Sequence, residues 1–345
     1  MIRFWTLAIT VLFSTFLFTT QSKAGEVLVR DAESLRTALT RLASDTVLKI
    51  APGEYPGELR VVDVDDLTVE ALDPNDPPLF KGGKNAWQFS RCDRLTLRHL
   101  RISGQTNNGL NIDDGGSNQK ATQDVTIEDV SISDIGPRGN HDGIKCSGID
   151  KLLIRNCRIH GWGGQAIDLV GCHDVRITGC LILGKPDFEG TAGVQAKGGC
   201  EKVLVESCHF VQAGMRPLNV GGSTGLPYFR PLGANYEARN ITVTRNVISG
   251  SPCAAAFVGV DGAEFTDNTV LHPEKWVFRI LQETRIDGFI PCRNVLIRDN
   301  TIVVKRAQIS TEINIGEGTN PETFRFENNR WVATDQGDAY TPQLP

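Results

Sequence analysis

Methionine is almost absent from this sequence: there are two in 345 residues, against 35 glycines. Valine, isoleucine, asparagine and aspartate are plentiful instead, which suits a chain built of strands and turns. A large net charge is also missing. At −5, nothing global marks a nucleic-acid binder, although a local basic groove is still able to hold an acidic polymer. Long apolar runs are missing too, with one exception. Residues 4–18 follow Arg3 and give way to a polar stretch ending Ser22-Lys23-Ala24, a small-x-small cleavage pattern before Gly25. A membrane anchor is the competing reading, but the run is short for a spanning helix. Residues 1–24 are therefore expected to be a cleaved signal peptide, and the chain to be secreted or periplasmic. No cysteine follows the cleavage point, which argues against a lipoprotein. Nine cysteines in an exported chain invite a disulfide framework, yet their number is odd and their spacing has another explanation.

A mature chain of roughly 320 residues is long enough to bury a large core. It opens with Leu35, Leu39 and Leu42 at the spacing of a short amphipathic helix, with Asp31 as N-cap. Residues 47–50 alternate as a strand, and Pro52-Gly53 turns it. A helix over 32–43 plus this strand reads as a cap on an array, since the terminal unit of an array is atypical.

After the cap one pattern recurs: apolar, two polar, Asn, Cys or apolar, one more residue, apolar. It appears as Leu97-Arg-His-Leu100-Arg-Ile102, then from Ile127, Ile154, Ile177, Val205, Val243, Phe265, Ile297 and Phe326. Nine copies spaced 22 to 38 residues apart are the signature of a solenoid. The residues are β-branched, alternate, and are cut by Gly and Asn, so the unit is a strand. The expected fold is all-β: a right-handed parallel β-helix with about three short strands per coil and a rise of ~4.8 Å. One such domain is expected over 25–335, with the cap at about 25–60 and a tail at 336–345. Cys157, Cys180 and Cys208 fall in one column with Asn246, Asn268, Asn300 and Asn329. A buried Asn ladder satisfies its own amides from coil to coil, and the Cys act as small apolar fillers. Cys92, Cys172, Cys200 and Cys292 share another column, where other coils carry Ile149 or Val260. Core packing explains them better than metal or catalysis. A Cys172–Cys200 disulfide stays open.

A further strand per coil is traced by apolar pairs such as Leu110/Ile112, Ile167/Leu169 and Ala256/Val258. The residues between and after them point outward. One outward column is then Asn111, Lys145, Asp168, Gln195, Asn219, Phe257, Arg279, Asn314. The next is Asp113, Ser147, Val170, Lys197, Gly221, Gly259. Lys145 beside Asp168 reads as an ion pair across coils. Lys197 has no carboxylate in its own column and stands over a glycine shelf, as a ligand-binding or a solvated lysine would. Arg216 comes one coil later. Two cations that close depress each other's affinity for protons, which suits Lys197 as a base. Tyr228 and Arg230 lie on an irregular insertion at 222–232, either packed down or forming a wall of the site.

The chain resembles the pectate-lyase-like superfamily of secreted parallel β-helices, through the opening helix and Thr46-Val-Leu-Lys-Ile-Ala-Pro-Gly-Glu-Tyr55. More narrowly, Lys197 followed by Arg216 is similar to the lysine base and arginine of polysaccharide lyase family six, the chondroitinase B and alginate lyase group. That resemblance implies β-elimination on an acidic polysaccharide, with calcium as the possible cofactor. The acidic pair expected ahead of the lysine is replaced by Gly193 and Gln195, leaving Asp142, Asp168 and Glu189 as metal-ligand candidates, with Asp187 nearby. Lys197, Arg216 and Tyr228 are the expected catalytic residues. Lys145, Asp168, Gln195, Asn219, Arg230 and Arg279 are the expected substrate-binding ones. Asn140-His-Asp-Gly-Ile-Lys145, with His160, also resembles parallel β-helix uronate epimerases. Three alternatives therefore stand beside the lyase: a hydrolase using Asp142 and Asp168, an epimerase using His141, His160 or Lys197, and a carbohydrate-binding β-helix without catalysis. The expected partner is an acidic polysaccharide or oligosaccharide bound by a monomer, with neither nucleic acid nor stable membrane insertion.

Overall fold

The computed structural model describes residues 25–336 and 340–345. The expected signal peptide, residues 1–24, lies outside the described residues. From Gly25 the chain winds through three parallel sheets of 12, 11 and 10 strands, here sheets 1, 2 and 3. A full coil visits them in that order, as in the strands Ile149–Arg155, Arg158–Trp162 and Gln165–Val170. Neighbouring coils pair in strict register. Ile127 faces Ile154, then Ile177, Val205 and Val243 follow in the same column. These inward columns are fully or almost fully buried and form one continuous core. Each such side chain contributes about 1.5–3 kcal/mol by leaving water.

The cap forms as expected but ends early. Asp31 accepts from the Ser34 amide at 2.8 Å, and the helix runs Ala32–Leu39. Leu35 is fully buried over the first coil.

The recurring pattern is not one strand, as the sequence suggests, but two strands and a corner. In Leu97-Arg-His-Leu100-Arg-Ile102, Thr96–Arg98 belongs to sheet 1 and Arg101–Ser103 to sheet 2. The third residue of each copy turns the corner in the left-handed region. His99, Asp129, Asn156, Gly179, Ser207, Arg245, Asp267, Asp299 and Asn328 all have φ between 51° and 65°. Gly, Asn and Asp adopt that conformation most readily, and they fill six of the nine positions.

The residue after each corner points in and is held by the ladder. Asn246 Nδ2 donates to Asn268 Oδ1 at 3.0 Å, Asn268 Nδ2 to Asn300 Oδ1 at 3.1 Å, and Asn300 Nδ2 to Asn329 Oδ1 at 2.8 Å. Each of those oxygens also accepts the backbone N–H of the coil below it. The cysteines below continue the column, with the Cys208 amide donating to Asn246 Oδ1 at 2.9 Å. All nine cysteines are buried and free, Cys172 and Cys200 included.

Asn268→Ala removes an acceptor that two buried donors of Asn246 share, each costing about 1–3 kcal/mol to strand. Urea unfolding should show a loss of about 2–5 kcal/mol. Asn329→Ala, at the half-buried end of the ladder, should cost less; equal costs would mean that the ladder is not cooperative.

Candidate active site

The outward face of sheet 3 carries the charged residues singled out from the sequence. Its central column reads Gln88, Asn111, Lys145, Asp168, Gln195, Asn219, Ala256, Arg279, Asn314. Two expected positions are corrected. Ala255 and Phe257 stack on Leu218 and Val220, so Phe257 points into the core and Ala256 points out. In the second outward column Val258, not Gly259, pairs with Gly221.

Lys145 makes the expected cross-coil pair and one more. Its Nζ lies 2.5 Å from Asp168 Oδ2 and 3.1 Å from Asp142 Oδ2. Burial alone would lower the Lys145 pKa, but the charges of Asp168 and Asp142 outweigh it and hold the value above that of an ordinary lysine. Asp142 responds the other way. Burial, and then the Asp168 charge, raises its carboxyl above the usual range. It sits at the corner before sheet 3, where Oδ1 accepts the Gln165 amide at 2.8 Å.

Lys197 is not the unpaired lysine expected from its column. It reaches diagonally past Val170 to Asp168, with Nζ 3.1 Å from Oδ1 and 3.3 Å from Gln195 Oε1. The contact with Asp168 has the distance of an ion pair without hydrogen-bond geometry, so Oδ1 has no donor of its own. Asp168 is completely covered, whereas Lys145 and Lys197 keep 23% and 15% of their side chains exposed. Asp168 therefore orients two lysines from beneath rather than lining a groove. Gln195 is fixed in turn by Nε2 donating to the Gly221 carbonyl at 3.2 Å.

Arg216 starts the strand Arg216–Gly221 and lays its guanidinium on the same outward face. Nη1 donates to Asn219 Oδ1 at 3.3 Å, and Nη1 and Nη2 both lie 3.1 Å from Glu283 Oε1. Arg279 stacks over the Trp276 ring at 4.4 Å and donates from Nε to Asn314 at 2.9 Å. Burial and then the like charge of Arg216 lower its pKa.

A second group of glycines makes room for a loop. Gly148, Gly171 and Gly199 form a track along the edge between sheets 3 and 1. Residues 222–237 run back along that track as a strap. A Cβ on Gly171 would come within 2.6 Å of the Arg230 side chain, and one on Gly199 within 2.3 Å of its carbonyl. Arg230 is thus a strap anchor rather than a substrate contact: its Nε and Nη2 bond Asp114 at 2.6 and 3.0 Å, both side chains being largely buried. Tyr228 stays free on the strap, in the short turn Leu226–Tyr228, with 65% of its surface exposed.

Among solved structures, the chain superposes on an alginate lyase from Paenibacillus sp. str. FPU-7 with a TM-score of 0.55. That match has 16% identity and covers 89% of this chain and 99% of the other. An endo-xylogalacturonan hydrolase from Aspergillus tubingensis gives 0.60 at 13% identity, over 92% and 99%. The A-module of a mannuronan C-5 epimerase from Azotobacter vinelandii gives 0.56 at 12%, over 90% and 93%. No curated protein matches the chain. The profile described as "Right handed beta helix region" matches residues 85–270, more than half of the sequence. The chain belongs to the right-handed β-helix family.

Not every expected residue of this β-helix comes to the site. His160 lies on sheet 2, in a groove of about 920 Å³ with Phe188 and Met215. It stands on a different sheet from Lys197. His141 packs against Gly136 at the corner. Asp142 and Asp168, the hydrolase pair, are both fully covered and share Lys145. Calcium does not fit the candidate ligands. The Asp142 and Asp168 oxygens face lysines and the Gln165 amide, while Glu189 pairs with Arg138 at 3.3 Å. Among the described residues no three His, Cys, Asp or Glu side chains cluster as a metal cage.

Glu237 went unnoticed in the sequence. It stands in the glycine track, between Gly199 and Gly259, and a lone charge in such a column was the available signal. Fully buried, its carboxylate accepts from the Gly198 and Thr224 amides, both at 2.9 Å. It also accepts from the Thr224 and Thr284 hydroxyls at 2.8 and 2.6 Å. One carboxylate thereby ties the strap and the next loop to the peptide that follows Lys197.

Two variants test this architecture. Lys145→Met leaves two buried carboxylates short of a cation and should destabilise the protein by about 3–5 kcal/mol in urea unfolding. A cost below about 1 kcal/mol, the level of a surface pair, would show the network to be solvated. Glu237→Ala should expose the strap to limited proteolysis within 222–237 at a protease level the parent protein resists.

Proposed function

We propose that the outward face of sheet 3 binds an acidic, uronate-containing polysaccharide and cleaves it by β-elimination. The observation that carries this reading is the line of Lys145, Lys197, Arg216 and Arg279 on one face of a protein whose net charge is −5. The carboxylates under that line are covered, so the face offers cations to a ligand. Structural neighbours named as a lyase, a hydrolase and an epimerase support action on carbohydrate but do not choose among the reactions. The choice of lyase rests on the side chains. A hydrolase needs two carboxyls that touch the sugar, and Asp142 and Asp168 do not reach the surface.

In the elimination, Lys197 takes the proton from C5 of the uronate. The electron pair forms the C4–C5 double bond, the C4–O bond breaks, and the leaving oxygen takes a proton from Tyr228. Arg216, with the Gln195 and Asn219 amides, faces the carboxylate on which charge develops. Asp168 holds the Lys197 amine in place. The polysaccharide meets the protein after export, in the secreted or periplasmic form.

Incubation with a panel of polyuronates, followed by ultraviolet absorbance, detects the unsaturated product that elimination alone creates. Lys197→Ala should lower turnover by about 10²–10⁴-fold, far more than the partial loss of stability expected from taking one of two cations away from buried Asp168 accounts for. Lys197→Arg should lose nearly as much, because a guanidinium keeps its proton. Near-normal turnover by Lys197→Arg would mean that the lysine supplies charge and that the base is elsewhere.

A further inference from the structure

Beyond the Lys145–Asp168–Lys197 network the face changes character. Ala256 is fully buried in the outward column, with Asn219 on one side and Arg279 on the other. Two guanidinium groups flank it: Arg216 bonds Asn219 one coil before Ala256, and Arg279 stands one coil after it. Their carboxylate supply is thin. Among the described residues Arg279 has no acidic partner, its Nε being taken by the neutral Asn314 and its plane by Trp276. Lys275 adds a third cation over the same Trp276 ring, at 4.4 Å.

Arg216 has one acid, Glu283, and the pairing is a poor one. Both of its terminal nitrogens share a single oxygen, Oε1, instead of matching two nitrogens to two oxygens. Glu283 is 37% exposed, so little holds it in place. A carboxylate offered with both oxygens would make a stronger fork with the same arginine.

We propose that the carboxylate of the unit at Lys197 displaces Glu283, an internal counter-anion, from Arg216, and that Arg279 forms a second carboxylate subsite for the next uronate unit of the bound chain. Arg279 stands three coils beyond Gln195 in the column, or ~14 Å along the axis at ~4.8 Å per coil. The subsite therefore grips the chain beyond the unit at Lys197 and selects for an acidic sugar there. The inference rests on the reading of sheet 3 as the binding face for an acidic polysaccharide, but not on the reaction carried out on it.

The test is a binding measurement in a Lys197→Ala background, so that no turnover intervenes. Oligogalacturonate and oligoalginate are titrated calorimetrically, with a neutral galacto-oligosaccharide as control. Arg279→Gln should weaken binding of the acidic probe about tenfold, as loss of a charged hydrogen-bonding group does. Glu283→Gln should tighten it several-fold, and its exposed position makes misfolding a minor risk. Glu317→Gln, which removes an exposed charge paired with Arg285, should leave affinity unchanged and so controls for net charge. Weaker binding by Glu283→Gln would make Glu283 a mere support for Arg216 and overturn the proposal, as would unchanged binding by Arg279→Gln. If neither acidic probe binds the parent background, the reading of sheet 3 falls, and this subsite with it.

Discussion

Each coil of the β-helix must end one strand spacing above its start, with every side chain over its counterpart. The left-handed corner between sheets 1 and 2 is the local device that meets this condition. It turns the chain from one sheet to the next at one residue and brings the next side chain into the core at the same place each time. A parallel stack then forces like residues together. For apolar columns that is favourable. For asparagine it is favourable only because each amide offers a donor upward and an acceptor downward. Charge has to alternate, and it does along the end of sheet 1, where Glu70, Arg98, Glu128 and Arg155 succeed one another.

The fold was legible because of this repetition. The column of Cys157 to Asn329 and the second column of Cys92, Cys172, Cys200 and Cys292 emerge in the structure as the sequence predicts. The corner was less visible. Leu97 and Leu100 are three apart, not two, and that break in alternation, with Gly, Asn or Asp at six of the nine corners, is the trace of a change of sheet. The slip at Ala256 has a plain cause: Ala254, Ala255, Ala256, Phe257 and Val258 form an apolar run without a polar residue to set its phase. The site residues were harder still. Reading down a column shows only neighbours in that column, and Asp168 reaches Lys197 on a diagonal. Arg230 and Asp114 are 116 positions apart, and nothing local in either segment announces their bond.

The site follows from the same stacking rule. Two buried carboxylates and two partly exposed lysines form a compact network in which the acids are underneath and the cations on top. The strap, tied down by Arg230 and by the four hydrogen bonds of Glu237, borders that network on one side and carries the exposed Tyr228. The arginine pair at Asn219 and Arg279 extends the cationic line along the axis. A polyanion lying parallel to that axis would meet a charge on successive or alternate coils, and this correspondence of spacing is the core of the functional account.

The most direct test is a crystal structure of the Lys197→Ala protein with a bound acidic oligosaccharide. The account predicts sugar density along sheet 3, parallel to the axis, from Lys145 to Arg279, with one carboxylate facing Arg216. Density in the His160 groove on sheet 2 instead, with sheet 3 empty, would contradict it.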